Sequence, residues 1–167
     1  MNIQSTLFLV LSASLSFGLS GCFFDLEPTV WETVSLGHDH SCAVASDGAV
    51  ECWGDDDQYS FGQVTDTPSD AVLMLSSGSY HNCAIDTDDD AICWGNNETD
   101  QAESYEGPFV EISAGLNHSC AIDTDGGLWC WGVNDGSLLD YGQLSEVPGG
   151  SFTQVSAGHH ASCAIDD

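Results

Sequence analysis

The sequence predicts an all-β protein assembled from repeated small sheets. Three observations carry this expectation. A Gly-x-x-His-x-Cys signature recurs along the chain. Short apolar segments alternate with turn residues and show no helical period. Cysteines ten positions apart bracket the turns.

The signature occurs as Gly37 to Cys42, Gly78 to Cys83 and Gly115 to Cys120, with His40, His81 and His118 at its fourth position. A fourth copy runs from Gly158 to Cys163, with Ala161 at the histidine position. Successive glycines are 41, 37 and 43 residues apart. The first three copies continue to a second cysteine followed by Trp-Gly: Cys52-Trp53-Gly54, Cys93-Trp94-Gly95 and Cys130-Trp131-Gly132. Gly-Gln follows in copies one and three, at Gly62-Gln63 and Gly142-Gln143. Each copy opens with a strand-like segment such as Phe109 to Ser113 or Phe152 to Ser156, and Pro68, Pro108 and Pro148 punctuate the junctions.

The hairpin inside each copy can be placed in register. If Cys120 and Cys130 stand directly opposite, Thr124, Asp125 and Gly126 form a three-residue tip, and Gly126 occupies the left-handed position such a loop requires. Gly48 takes that position in copy one, and Asp89 takes it less comfortably in copy two. In this register Cys120, Ile122, Leu128 and Cys130 share one face, and Ala121, Trp129 and Trp131 share the other. Both faces are apolar, so both need cover. Stacking copies of the sheet against one another supplies it.

The recurring string, HSCAIDTDGGLWCWG with a following YGQL in copy three, and VSAG heading copy four, resembles the regulator of chromosome condensation repeat. The resemblance spans roughly 31–167. It implies a partial β-propeller of about three and a half four-stranded blades, an open arc of a seven-bladed ring, with repeats near 31–70, 71–108, 109–150 and 151–167. It also implies structural roles for Gly37, His40, Trp53, Gly54, Gly78, His81, Trp94, Gly95, Gly115, His118, Trp131, Gly132 and Gly158. The histidines are expected to bond backbone at blade corners. Binding surfaces are expected on the loops at the propeller faces. The sequence stops at Asp167, inside the fourth hairpin tip, so the expectation is a piece of a longer propeller. Completion by self-association is the alternative.

Eight cysteines then divide into three cross-strand pairs and two others. Cys42–Cys52, Cys83–Cys93 and Cys120–Cys130 fit the cysteine-paired form that resembles secreted bacterial members, and directly opposed strand residues lie within disulfide reach. Cys163 is left unpaired. Zinc held by His-x-Cys and the opposing cysteine is the rival reading; it lacks an evident fourth ligand. Redox catalysis is disfavoured because no C-x-x-C occurs.

At the N-terminus, Leu7 to Leu19 is an apolar run too short to span a bilayer and suited to a signal-peptide core. It ends in Leu19-Ser20-Gly21-Cys22, which resembles a bacterial lipobox. The implied organisation is a leader over 1–21, lipidation at Cys22, a tether over 22–30, and anchoring at the outer membrane or cell surface.

The chain contains no Lys or Arg against 27 Asp and Glu, a net charge of −27. Nucleic acid, anionic lipid surfaces and phosphate chemistry are disfavoured, because all depend on cationic side chains. Apolar residues make up 42 %, too many for a solvated acidic tail. Asp86, Asp88, Asp123 and Asp125 are weak calcium candidates, but Asn134 stands where a hand-type loop needs its glutamate, and aspartate also favours turn tips. No G-x-S-x-G, H-E-x-x-H or P-loop is present, and no cofactor is expected. The expected function is therefore a non-catalytic, lipid-anchored binding module for a neutral or basic protein or other extracellular partner. A propeller hydrolase or lyase with its active residues in other blades, and a calcium-dependent adhesion protein, are the alternatives.

Overall fold

A computed structural model describes residues 29–54, 60–145 and 147–166. The expected leader, Cys22, most of the tether, and Asp55, Asp56 and Asp57 fall outside these residues.

The described residues form strands and turns, without helix. Strands β1 (Trp31–Leu36), β2 (His40–Ala45) and β3 (Val50–Gly54) make the first antiparallel sheet. The second contains β4 (Val72–Ser77), β5 (His81–Asp86) and β6 (Ala91–Gly95), and the third β7 (Phe109–Ala114), β8 (His118–Asp123) and β9 (Leu128–Gly132). Strands β10 (Phe152–Ala157) and β11 (Ser162–Asp166) form a two-stranded fourth sheet. Each sheet is one blade. The turns after β1, β4, β7 and β10 line one shared depression, so the four innermost strands converge on a common axis. This is a propeller arrangement.

The hairpin register is the one the cysteine spacing predicts. Cys42 pairs with Cys52, Cys83 with Cys93 and Cys120 with Cys130. The tip residues Gly48, Asp89 and Gly126 have φ of 84°, 64° and 82°. Each innermost strand carries an irregularity one residue in, between Trp31 and Thr33, Val72 and Met74, Phe109 and Glu111, and Phe152 and Gln154. The residue skipped there is turned outward, which accounts for the exposure of Leu73 and Val110.

The core lies between blades. Cys42 and Val44 of blade one meet Val72, Leu75, Ala84 and Trp94 of blade two. Cys83 and Ile85 meet Phe109, Ile112, Ala121 and Trp131 at the next boundary, and Cys120 and Ile122 meet Val155 at the last. The interior blades therefore cover both apolar faces, as the two-faced pattern requires, except at Trp129 of blade three, which stays exposed. Blade one does not. Trp31, Val34, Leu36 and Trp53 occupy the positions that pack against a preceding blade elsewhere, and here they are exposed. Cys163 and Ile165 are exposed in the same way on the far face of blade four.

One expectation differs. Among the described residues, the first three blades have three strands each, where four-stranded blades are expected. The outer segments are rich in Pro, Gly and acidic residues, which pair poorly as strands. The nearest approach to a fourth strand is an isolated bridge between Ala91 and Tyr105 on the outer edge of blade two.

Candidate binding surface

Three contacts repeat at each blade boundary. The first is made by the signature histidine. His40 Nε2 lies 2.8 Å from Asn82 Oδ1, His81 Nε2 2.8 Å from Ser119 Oγ, and His118 Nε2 2.8 Å from Ser162 Oγ. The partner is thus a side chain of the following blade and not the backbone expected from sequence. It occupies the position just before that blade's first signature cysteine, which is serine in three copies and asparagine in one. Ala161 cannot make this contact, and β11 starts one residue later than β8 does in its repeat.

The proton direction follows from the partners. Ser119 Oγ–H donates to Gln101 O at 2.9 Å, so Ser119 Oγ accepts from His81 Nε2–H. Asn82 Nδ2 donates to Gln63 O at 2.9 Å, leaving Oδ1 to accept from His40. Burial, with the nearby His118 and His40 adding to it, lowers the His81 pKa to about 3. Burial also lowers that of His118, with His160 contributing. The His81 ring is therefore a neutral donor, and burial favours the neutral form of His118 as well. The His81–Ser119 pair has the spacing of a catalytic dyad but the wrong polarity, since the serine proton points away from the imidazole. Both residues are also fully buried.

The second contact joins the innermost strands. Ser35 Oγ accepts from Ser77 N at 2.8 Å, Ser76 Oγ from Ala114 N at 3.0 Å, and Ser113 Oγ from Ala157 N at 2.8 Å. The third is the close approach of the signature glycines. A Cβ on Gly78 would sit 2.4 Å from Gly115 O, and one on Gly115 would sit 2.5 Å from Gly158 O. Only glycine fits there.

Disulfides join Cys42 to Cys52, Cys83 to Cys93 and Cys120 to Cys130. Each clamps a hairpin beside the next blade, with Cys42, Cys83 and Cys120 wholly buried. Cys163 is free and exposed.

The tryptophans divide by position. Trp94 is buried and its Nε1 donates to Gln63 O at 3.1 Å, tying blade two to the loop after blade one. Trp131 is buried in the same place on blade three. Trp53, for which structural packing is expected, is 49 % exposed because no described blade precedes it. The Gly-Gln element also has a copy the sequence pattern did not reveal. Asp100-Gln101 replaces it in blade two, with Asp100 at φ 60°. Gln101 is buried like Gln63, and its Oε1 accepts from Thr99 N at 2.8 Å as Gln63 Oε1 does from Phe61 N at 2.8 Å. Asparagine and aspartate are the non-glycine residues that best tolerate this backbone, which is the signal that locates the copy.

The acidic tips present carboxylates outward while holding their own turns. Asp86 Oδ1 accepts from Asp88 N and Asp90 N, both at 2.9 Å. Asp123 Oδ1 accepts from Asp125 N at 2.9 Å and Gly127 N at 2.8 Å, and its Oδ2 accepts from Trp129 Nε1 at 2.7 Å. The Trp129 indole and the backbone donors of Gly127 and Asp125 hold the Asp123 carboxyl below its ordinary pKa. Of the calcium candidates, Asp86 and Asp123 are thus engaged as turn acceptors; Asp88 and Asp125 are exposed at the tips, contributing backbone N–H groups. Among the described residues, no group of three or more His, Cys, Asp or Glu is arranged to hold a metal ion.

The remaining surface is a ring of loops around the axial depression of about 220 Å³, lined by backbone at Gly37, Gly78, Gly115 and Gly158 with Leu36 and Leu116 beside it. With no Lys or Arg in the chain, the field over it is negative throughout. No helix among the described residues is long and apolar enough to cross a membrane.

Comparison with known proteins agrees with this architecture. The family model for the regulator of chromosome condensation (RCC1) repeat matches residues 31–63, 75–101 and 109–143. No curated protein matches the chain. Among solved structures, the entire ectodomain of the receptor kinase CR4 from Physcomitrella patens is similar with a TM-score of 0.66 at 24 % identity, over 87 % of this chain and 40 % of that one. The CRINKLY ectodomain of the Arabidopsis thaliana receptor kinase ACR4 gives 0.63 at 24 %, over 81 % and 46 %. Prp20p from Saccharomyces cerevisiae, described with its binding to Gsp1p and histones, gives 0.64 at 21 %, over 85 % and 44 %. The chain spans less than half the length of each. With more than half of its residues matched by the family model, and with blades joined by the repeat's own histidines and glycines, the chain belongs to the regulator of chromosome condensation repeat family.

Proposed function

We propose that the chain is an exported β-propeller module, anchored by a lipid on Cys22, that binds a neutral or basic protein or other extracellular partner without catalysing a reaction on it. The observation that carries this reading is the cystine in each complete hairpin. Three disulfides in 167 residues, each with one wholly buried cysteine, are the chemistry of an oxidising compartment. The apolar run before Cys22 supplies a route there, with 1–21 as leader and 22–30 as tether.

The binding role rests on three supports. The fold offers loops around an axis on a rigid, clamped scaffold, the usual arrangement for recognition. Prp20p, similar in fold, binds Gsp1p and histones. The absence of any cationic side chain favours a neutral or basic partner over nucleic acid. The repeated His–Ser and His–Asn pairs are sealed at blade boundaries, which favours structure over catalysis for the most reactive side chains present.

Anchoring is tested by expressing the whole chain in a bacterial host with Cys22 or Cys22→Ser. Export of both, with only the first entering the detergent phase, supports the reading. Identical partitioning would remove the anchor. Partner class is tested with peptides of graded charge, where binding should favour neutral and basic sequences and weaken with salt. Equal binding of acidic peptides would contradict it.

A further inference from the structure

Blade three carries an aromatic recess that the repeat does not require. Trp129 stands where blades one and two have Glu51 and Ile92. Tyr105 comes from the segment between blades two and three and is pinned there by backbone bonds to Ala91 in both directions, each 2.9 Å. Between them lie the buried rings of Phe109 and Trp131. The rings of Tyr105, Phe109, Trp129 and Trp131 border a cavity of about 230 Å³, and a second of about 190 Å³ shares three of them and reaches Glu106 and Asp123. Tyr105 and Trp131 are 5.0 Å apart between ring centroids, inclined at 60°, and Phe109 and Trp129 are 6.4 Å apart at 84°.

Two features set this recess apart from ordinary packing. Trp129 is 55 % exposed, yet its indole is fixed by the 2.7 Å bond to Asp123 Oδ2. An exposed ring locked in one orientation is preorganised at no gain to the core. Trp131 Nε1 is buried without a partner, whereas Trp94 at the same repeat position donates to Gln63 O.

The geometry points to a binding site for a methylated ammonium group, with the aromatic faces as its walls and the carboxylates of Asp123 and Glu106 supplying the opposing charge. The alternative chemistry, a sugar stacked on the rings, needs free hydrogen-bonding groups. Both oxygens of Asp123 and the N–H of Trp129 are already engaged, and the unpartnered Trp131 N–H is a single buried donor, too few groups to hold a sugar ring. A methylated ammonium has no N–H to satisfy and asks only for π faces and negative charge. The chain has no Lys or Arg of its own to compete for the recess. The inference stands on these side chains and is independent of lipid anchoring or of the partner proposed for the loops.

The test follows the five tryptophan indole N–H resonances of the whole oxidised chain during titration. Tetramethylammonium chloride, choline and a peptide bearing trimethyl-lysine are compared with sodium and ammonium chloride at equal ionic strength, and with glucose. Saturable shifts confined to Trp129 and Trp131, produced by the methylated ammonium probes and not by sodium, ammonium or glucose, support the site. Tighter binding of choline would name a free small molecule as the source, and tighter binding of the peptide a modified side chain. Trp129→Ala should weaken binding about tenfold or more, and Glu106→Gln should weaken it less while leaving folding untouched. Shifts that do not saturate, that sodium reproduces, or that glucose alone produces would overturn the proposal.

Discussion

His81 and Ser119 lie on different blades, and the imidazole donates across the boundary at 2.8 Å to a hydroxyl that passes its own proton to Gln101 O. Neither residue is accessible to water. Ser119→Ala therefore leaves a buried N–H and weakens the tie of a buried carbonyl, and should destabilise the oxidised chain by about 1–3 kcal/mol. Ser162→Ala breaks the equivalent bond to His118 at a partly exposed boundary and should cost less. Urea unfolding of both variants measures the order; equal costs would mean that the buried relay contributes nothing special.

The same histidine makes stability pH-dependent. His81 has a folded pKa of about 3 against an ordinary 6.5, so the unfolded chain binds the proton first as pH falls. The stabilising difference is fully present above 6.5 and is lost progressively from there toward 3, by up to about 1.4 kcal/mol per pH unit for that one proton. At high salt, where carboxylate repulsion is screened, stability should fall on acidification through this window. His81→Gln should be less stable at neutral pH and show a flatter profile. A parallel profile in the variant would refute the assignment.

Gly78 tests the blade spacing. A Cβ there would meet Gly115 O at 2.4 Å and His81 Cε1 at 2.6 Å, whereas Gly149 has nothing within 4 Å. Gly78→Ala should lower the thermal midpoint sharply and Gly149→Ala should leave it nearly unchanged. Differential scanning calorimetry decides between them.

A chain with charge −27 and no Lys or Arg repels itself. Its thermal midpoint should rise with added sodium chloride, because screening relieves repulsion and few attractions are lost. Magnesium and calcium should then act alike at equal concentration. A shift specific to calcium would instead favour a cation site at the acidic tips around Asp86 and Asp123.

Much of this fold is legible in the sequence because its constraints are local. Ten-residue cysteine spacing fixes the hairpin register, and Gly48, Gly126 and Asp89 mark the tips through backbone conformation alone. Two-faced apolar strands require stacked sheets, and the stack is there. What the pattern leaves open depends on the neighbouring blade. The histidine partners Asn82, Ser119 and Ser162 occupy a position that is serine in three copies and asparagine in one, but the sequence alone does not say that this side chain meets the histidine of the preceding blade. Asp100-Gln101 is hidden because an aspartate stands where glycine is the familiar residue. The aromatic recess combines Tyr105 from a junction with Trp129 from a strand, 24 positions apart, and only tertiary structure brings them together.

The disulfides bear directly on the central claim, a clamped extracellular propeller. Each closes a loop of about eleven residues and should stabilise by about 2–3 kcal/mol in the chain-entropy account. The decisive measurement is a count of free thiols on the whole chain, isolated from a bacterial envelope, unfolded without reductant, alkylated and weighed intact with zinc determined alongside. One labelled cysteine, Cys163, together with a lipid-sized increment at Cys22 and no zinc, is the predicted result. Seven labelled cysteines with stoichiometric zinc would contradict the account and make the His-x-Cys repeats metal ligands.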